Sequence, residues 1–216
     1  KGYFDGSRSD SIFFFPQINI DTMNLGQMLY RFDNFGQDYI VSSNLLGRLS
    51  GSIFGKLQVH ADMVPQIENS EFFMKLEIVD GELKNYKPLH AMSEYFKDKN
   101  LNRIRFDTLS NQILISRGII NIPSMTINSS LGHMDITGKQ DMDNNMEYFI
   151  RIPLKMVTKA ARQKLFGKKG NISDSTQIDV IQYKSDKKKT WYLNLKLEGN
   201  PDEYTVSLGK KKRVRN

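Results

Sequence analysis

Cysteine is absent from this sequence, which excludes disulfide staples, thiolate zinc sites and cysteine nucleophiles. Long apolar runs are absent too: no window of about 18 apolar residues occurs, so no segment reads as a membrane-spanning helix. Histidine is scarce. His60, His90 and His133 sit in separate segments, none at ligand spacing from a carboxylate or another histidine, and they read as surface or strand residues. No secretory signal is visible, but the chain begins at Lys1 rather than Met and reads as a piece of a longer protein, so that absence carries no weight.

Catalytic and ligand-binding motifs are equally sparse. Gly51-Ser52-Ile53-Phe54-Gly55-Lys56 imitates a phosphate-binding loop, yet three residues separate its glycines where four are needed, and Leu57 stands where a metal-binding hydroxyl belongs. Asp141-Met142-Asp143-Asn144-Asn145 starts like a calcium loop, but Met146 occupies the glycine position and Ile152 the position of the terminal glutamate. A polar hairpin turn accounts for it better. Neither a nucleophile elbow nor a Ser-x-x-Lys with an identifiable partner is present. The expectation is a non-enzyme with no cofactor and no metal.

What the sequence does contain is charge at one end and alternation throughout. Residues 1–154 hold 15 Lys+Arg and 18 Asp+Glu, whereas residues 155–216 hold 16 and 6. The chain's +7 therefore belongs to its last quarter, which points to an anionic partner or to a solvated basic end. From Phe72 to Pro153, apolar residues recur at period two: Ile113, Ile115 and Ile119, then Met125 and Ile127, then Met134 and Ile136, then Tyr148, Ile150 and Ile152. Residues i and i+2 share a strand face, so each segment offers one apolar side. Breaks at Asp80-Gly81, Arg117-Gly118, Leu131-Gly132 and Asp143-Asn144-Asn145 make the series an antiparallel meander.

Taken in order, the chain opens with a strand over Ser11–Asp21, whose Pro16 marks an edge or a bulge. Asp21 or Thr22 then caps a helix to Phe35, stopped by Gly36. Tyr39–Met63 alternates again, with Gly47, Gly51 and Gly55 permitting bulges or close backbone approach. Pro65–Ser70 reads as a loop, Phe72–Ile78 as a strand ending in a two-residue hairpin turn at Asp80-Gly81, and Pro88–Lys97 as a second helix. Asn100–Arg105 returns to strand. Leu154–Gly167 fits an amphipathic helix with Lys155, Lys159, Arg162 and Lys164 on its polar side, ending among Lys168 and Lys169. Strands follow at Ile178–Tyr183, Thr190–Leu197 and Tyr204–Leu208. The fold class is α+β, mainly β: a long curved antiparallel meander sheet carrying two or three short amphipathic helices. Residues 1–209 read as one elongated domain and 210–216 as a basic, disordered tail.

Several segments together have a familiar order. Leu46-Gly47-Arg48-Leu49-Ser50-Gly51-Ser52-Ile53 comes first, then Asp80-Gly81-Glu82-Leu83, Pro88-Leu89 and Phe106-Asp107-Thr108-Leu109. Ile113-Leu114-Ile115-Ser116-Arg117-Gly118, Met125-Thr126-Ile127-Asn128-Ser129-Ser130, Ile136-Thr137-Gly138 and Ile152-Pro153-Leu154 complete the set. Over roughly residues 20–155 this pattern resembles the C-terminal region of the AsmA family of envelope proteins, which is similar to TamB and the wider group of long-groove lipid-transfer proteins. The resemblance implies a periplasmic body with an inner-membrane anchor upstream, a curved sheet whose concave face holds acyl chains, and a role in outer-membrane assembly and phospholipid handling. It implies no catalytic residue, and residues 156–216 lie outside it.

The residues themselves lead toward the same site. Two short helices cannot cover five or more strands, and an apolar patch beyond a few hundred Å² marks a binding surface. The expected lipid contacts are Ile113, Ile115, Met125, Ile127, Met134, Ile136, Tyr148 and Ile150. Lys155, Lys159, Arg162, Lys168 and Lys169 are candidates for contact with an anionic membrane surface, against the plainer reading that they solvate the outer side of a packed helix. Expected partners are a phospholipid or other acyl-chain lipid and envelope proteins. A scaffold without lipid is the second reading. Nucleic-acid binding through the basic C-terminal end is the third and weakest reading, and no nucleic acid is expected as a partner: Trp191, Tyr192 and Tyr204 could stack on bases, but core positions explain Trp191 and Tyr204 equally well.

Overall fold

The computed structural model describes residues 1–7, 11–36, 38, 40–87, 95–96, 101–158, 181, 183–184 and 190–209. Their strands are β1 (Gly2–Asp5), β2 (Ser11–Asn24), β3 (Leu45–His60), β4 (Pro65–Lys84), β5 (Arg103–Ser116), β6 (Ile119–Ser129), β7 (Gly132–Asp141), β8 (Met146–Pro153), β9 (Tyr192–Gly199) and β10 (Tyr204–Leu208). They form one antiparallel sheet in sequence order, the predicted meander, open at both edges. Each strand pairs with its predecessor, so every short turn or connection returns the chain beside itself. β4, with 20 residues, is the longest and spans about 65 Å.

Cross-strand partners share a face, so the register shows how the apolar side is assembled. Ile18 pairs with Ile53, Ile53 with Met74 and Met74 with Ile113. Farther along, Met125 pairs with Ile136, Ile136 with Ile150 and Ile150 with Leu195. The alternation read from the sequence therefore becomes one apolar face crossing the sheet.

Two clusters anchor that face. Helix α1 (Leu25–Arg31) sets Leu25 and Leu29 on Leu49 of β3, with Ile20, Leu45, Leu76 and Ile78 around them. At the other side, Ile150, Ile152, Leu193, Leu195 and Leu197 of β8 and β9 are covered by Tyr95, Phe96, Leu101, Met156 and Val157. Phe96 and Val157 form an isolated antiparallel bridge there.

Several boundaries differ from the sequence reading. The first helix begins at Leu25, capped by the Asn24 side chain, whose Oδ1 accepts from the Gln27 amide at 2.8 Å. Asp21–Asn24 stays in β2 because Met23 and Asn24 still find partners in Leu49 and Arg48, across a bulge at Thr22 (φ 45°). The helix ends at Arg31, and a left-handed turn, Asp33–Gly36, with all four residues at positive φ, follows it. Pro65–Ser70 is not a loop but the first part of β4. Its irregular register opposite β3 is held by the buried Ser70 hydroxyl, which donates to the Gln66 carbonyl (2.6 Å) and accepts from the Gln58 amide (3.0 Å).

Asp80-Gly81 makes no hairpin turn either. β4 runs through it to Lys84, with Asp80 at φ 51°, and the apolar parity shifts from Ile78 to Gly81 and Leu83. Gly81 is required because the ring of Phe106 lies where a Cβ would stand. Arg117-Gly118 is a two-residue turn with both residues at positive φ, as read.

The helix expected from Leu154 is contradicted at its start. Leu154–Met156 is a single 3-10 turn and Val157 is extended, because the Val157 side chain is needed in the core and its backbone in the bridge to Phe96. No strand is assigned at Ile181 or Tyr183, the described part of the expected Ile178–Tyr183 strand. Trp191 is 70% exposed rather than in the core: it precedes the first pair of β9, Tyr192 with Pro153, beyond the described end of β8. The expected helix residues Pro88–Glu94 and Lys97, the rest of the basic helix and the basic tail lie outside the described residues.

Leu195 and Ile152 have no exposed surface, and burying such a side chain contributes about 1.5–3 kcal/mol. Leu195→Ala is therefore expected to lower the urea-unfolding free energy by about 2–5 kcal/mol. Leu114→Ala, on an exposed site of the opposite face, is expected to stay within about 0.5 kcal/mol of the parent. Equal losses from both would contradict this placement of the core.

Candidate functional site

Between the two clusters the apolar face is hollow. A cavity of about 270 Å³ is walled by Leu45 of β3, Ile78 and Leu83 of β4, Ile104, Phe106 and Leu109 of β5, and Ile122, Met125 and Ile127 of β6. Met134 and Ile136 of β7, Tyr148 and Ile150 of β8 and Leu197 of β9 continue the wall, and Ile40, Tyr86, Leu131 and Ser129 complete it.

The reason for a hollow here lies in the sheet. β5 and β6 pair at Phe106–Ser129 and again at Leu114–Asn121, and between these points the ladder is interrupted. Leu109 stands on one side of the gap, with Ile122, Met125 and Ile127 on the other, and the Asn111 amide bridges it by donating to the Pro123 carbonyl at 3.2 Å. A register shift between Ile122 and Met125 then carries the apolar parity of β6 past Pro123. The floor is thus wide, and α1 covers only its β3–β4 side.

No charged side chain lines the cavity. The Ser129 hydroxyl is tied down, donating to the Gly132 carbonyl (2.8 Å) and accepting from the Leu131 amide (3.2 Å). The Tyr148 hydroxyl is engaged too, donating to Gln140 Oε1 at 2.8 Å. Such a lining accepts hydrocarbon and rejects charge, since an unpaired ion moved here would lose its hydration without compensation. Nothing in it resembles a nucleophile with a base, and among the described residues no three His, Asp or Glu side chains converge as a metal site.

Six of the eight expected contacts line the cavity: Met125, Ile127, Met134, Ile136, Tyr148 and Ile150. Ile113 and Ile115 do not. They pair with Met74 and Phe72 on the same face, half-buried, beyond the cavity's end. The lining residues that sequence reasoning missed include Leu83, Ile104 and Phe106. Their periodicity was visible, but the parity shift at Asp80-Gly81 conceals that they share a face with Ile78 and Leu109. Lys155 is exposed beside Met156, while Lys159, Arg162, Lys168 and Lys169 lie outside the described residues.

The opposite face carries the polar groups. Asp135 is held by the Thr126 hydroxyl at 2.7 Å and by Lys184 Nζ at 3.0 Å, with Arg151 at 3.6 Å. Burial raises its carboxyl pKa, but these partners outweigh burial and leave it below the usual value. The segment around Lys184 is fastened across β5–β7: the Tyr183 hydroxyl donates to Asp107 at 3.1 Å and the Lys184 amide to Asn128 at 3.1 Å.

His133 lies in this region, 3% exposed, and neither ring nitrogen has a partner among the described residues. Burial, aided by Lys155 and Lys184 and opposed by Asp135, lowers its pKa from 6.5. Of the two readings expected of it, surface or strand, His133 takes the strand one, in β7, but buried: the Tyr192 ring meets it edge-on at 6.1 Å and helps exclude water.

Because the folded state resists protonating His133, the unfolded chain binds the extra proton first. The stabilising preference is present above pH 6.5 and is lost as pH falls below it, before the Asp135 contribution is lost below 3.8. Urea titrations at about pH 7.5 and 5.5 are expected to show a loss of stability that His133→Leu reduces. An equal loss in both proteins would contradict the assignment.

Comparison with protein-family models, curated proteins and solved structures finds no match to this chain. The likeness of residues 20–155 to the AsmA family therefore rests on their sequence pattern alone.

Proposed function

We propose that this is a non-catalytic, lipid-handling domain of the cell envelope that holds an acyl chain of a phospholipid or related lipid in the cavity of its sheet. The observation that carries the reading is the uncharged cavity itself, continuous with a half-buried apolar strip beyond it at Ile113 and Ile115. Part of the wall is already out of water, Phe106, Met134 and Ile150 being buried, but Ile78, Leu109, Ile122 and Met125 are half-buried, and hydrocarbon left facing water there forfeits about 25 cal/mol per Å². An acyl chain recovers that energy with no polar partner, at about 0.8 kcal/mol for each buried CH₂. A periplasmic setting, an upstream inner-membrane anchor and a part in outer-membrane assembly accompany this proposal through the AsmA resemblance.

The runner-up is a scaffold for envelope proteins, favoured by one observation: the sheet's open edges. At one side of the sheet, β10 pairs with β9 alone, and no described strand flanks its far side. Such an edge can accept a strand from another protein.

Fatty acids of increasing length separate the two readings. Affinity measured by displacement of a fluorescent fatty acid is expected to rise about fourfold per CH₂, then level off when the cavity and its strip are full. Ile122→Trp with Met125→Trp, which fills the hollow, is expected to weaken binding at least about tenfold. That corresponds to the loss of about two buried methylenes. No uptake, or affinity independent of chain length, would favour the scaffold.

A further inference from the structure

The outer face of the sheet, opposite the cavity, should be polar if one side alone faces the core. It departs from that in two places: Phe149 and Tyr192, half-buried beneath Lys196 and Arg151, and a more exposed row at the β1–β5 side. Tyr3, Phe15, Phe54, Phe73 and Leu114 stand there on adjacent strands, with Tyr3 paired to Phe15, Phe54 to Phe73 and Phe73 to Leu114. Tyr3 stacks on Phe15 with ring centroids 4.4 Å apart, and Phe54 lies parallel to Phe73 at 5.7 Å. Tyr3, Phe54, Phe73 and Leu114 are 67, 43, 39 and 44% exposed, and none lines the cavity. The β3–β4 hairpin, which outruns the end of β5, adds exposed Met63 at its tip.

Cations are set among these rings. Lys56 Nζ lies 4.3 Å from the centre of the Phe13 ring, and Lys1 lines a shallow hollow with Tyr3, Phe15 and Phe54. Lys75 stands two residues from Phe73 on the same face. The acids on this face are Asp5 opposite Phe13, Glu71 opposite Lys56 and Glu77 two residues beyond Lys75, so lysines and acids are interleaved around the rings, with Lys1 and Lys56 set closest to them.

The size of the patch selects its occupant. Aromatic side chains present about 150–250 Å² each, so these exposed fractions amount to on the order of 400 Å². A stable protein–protein interface needs about 800 Å² from each partner. A second copy is thus poorly served by this patch. A bilayer has no such minimum, and aromatic rings interleaved with lysines suit the headgroup level, where rings sit below the phosphates and ammonium groups among them.

We propose that this outer face is a peripheral docking surface for a membrane interface containing anionic lipid. The proposal goes beyond the cavity's function and does not rest on it, because the two sites use opposite faces of the same strands.

Co-sedimentation with phosphatidylcholine vesicles, with and without phosphatidylglycerol, tests it. The parent protein is expected to bind the vesicles containing phosphatidylglycerol, more weakly as salt is raised. Phe54→Ser with Phe73→Ser, and separately Lys56→Glu with Lys75→Glu, are each expected to weaken that binding at least about tenfold while leaving fatty-acid displacement unchanged. The lysine pair is fully surface-placed, so it carries the test if the phenylalanine variant fails to fold. Absence of vesicle binding by the parent protein would overturn the proposal, whatever the cavity does. So would binding by well-folded variants equal to the parent's. So would a parent dimer in sedimentation equilibrium that Phe54→Ser with Phe73→Ser dissolves, which would assign the face to a second copy. Loss of fatty-acid uptake together with vesicle binding would overturn the separation of the two faces.

Discussion

The constraint on which this structure depends is that an antiparallel ladder fixes the side of every residue. Once Ile53 is placed opposite Met74 and Met74 opposite Ile113, neighbouring residues must fall on the other face. A ten-stranded meander therefore accumulates a broad apolar surface, each strand adding a strip. The described helix α1 has seven residues and covers two of those strands well. The residues around Phe96 and Val157 cover two or three more. What lies between is left to form the cavity, so the candidate site follows from an imbalance between sheet and cover.

The same ladder allows local exceptions, and they coincide with the cavity. The parity shifts at Asp80-Gly81, and β6 shifts between Ile122 and Met125. β5 and β6 separate between Phe106 and Leu114. These irregularities widen and bend the floor where, among the described residues, no helix covers it. Gly81 belongs to the arrangement through Phe106, whose ring occupies the space a side chain would take and completes the cavity wall.

Most of the sheet was legible in the sequence because period-two alternation is a local signal. The strands from Arg103 to Pro153, β9 and β10 follow it closely. The failures also have local causes. Pro65–Ser70 reads as a turn or loop in the sequence, but Ser70 supplies side-chain hydrogen bonds that allow an irregular strand instead. Asp80-Gly81 has the composition of a hairpin turn, and only the long pairing of β4 with both neighbours shows that the strand runs on through it. Leu154–Met156 has a helical apolar spacing that loses to the bridge between Val157 and Phe96. The cavity was legible in part: Met125 to Ile150 could be picked by alternation, whereas Ile40, Tyr86 and Leu131 reach it from connections whose paths no periodicity reveals. The outer aromatic row was invisible because Phe54 and Phe73 look like ordinary strand residues until their face is known.

A spin-labelled fatty acid observed through methyl NMR addresses the central claim most directly. With the label at the chain's far end, the account predicts strong paramagnetic broadening of the methyl signals of Met125, Ile127, Met134 and Ile136. It predicts little at Leu195, shielded in the core, and little at Leu114 on the outer face. Broadening confined to Leu114 and its neighbours, or none at the cavity methyls with the fatty acid in excess, would contradict the assignment of this cavity to an acyl chain.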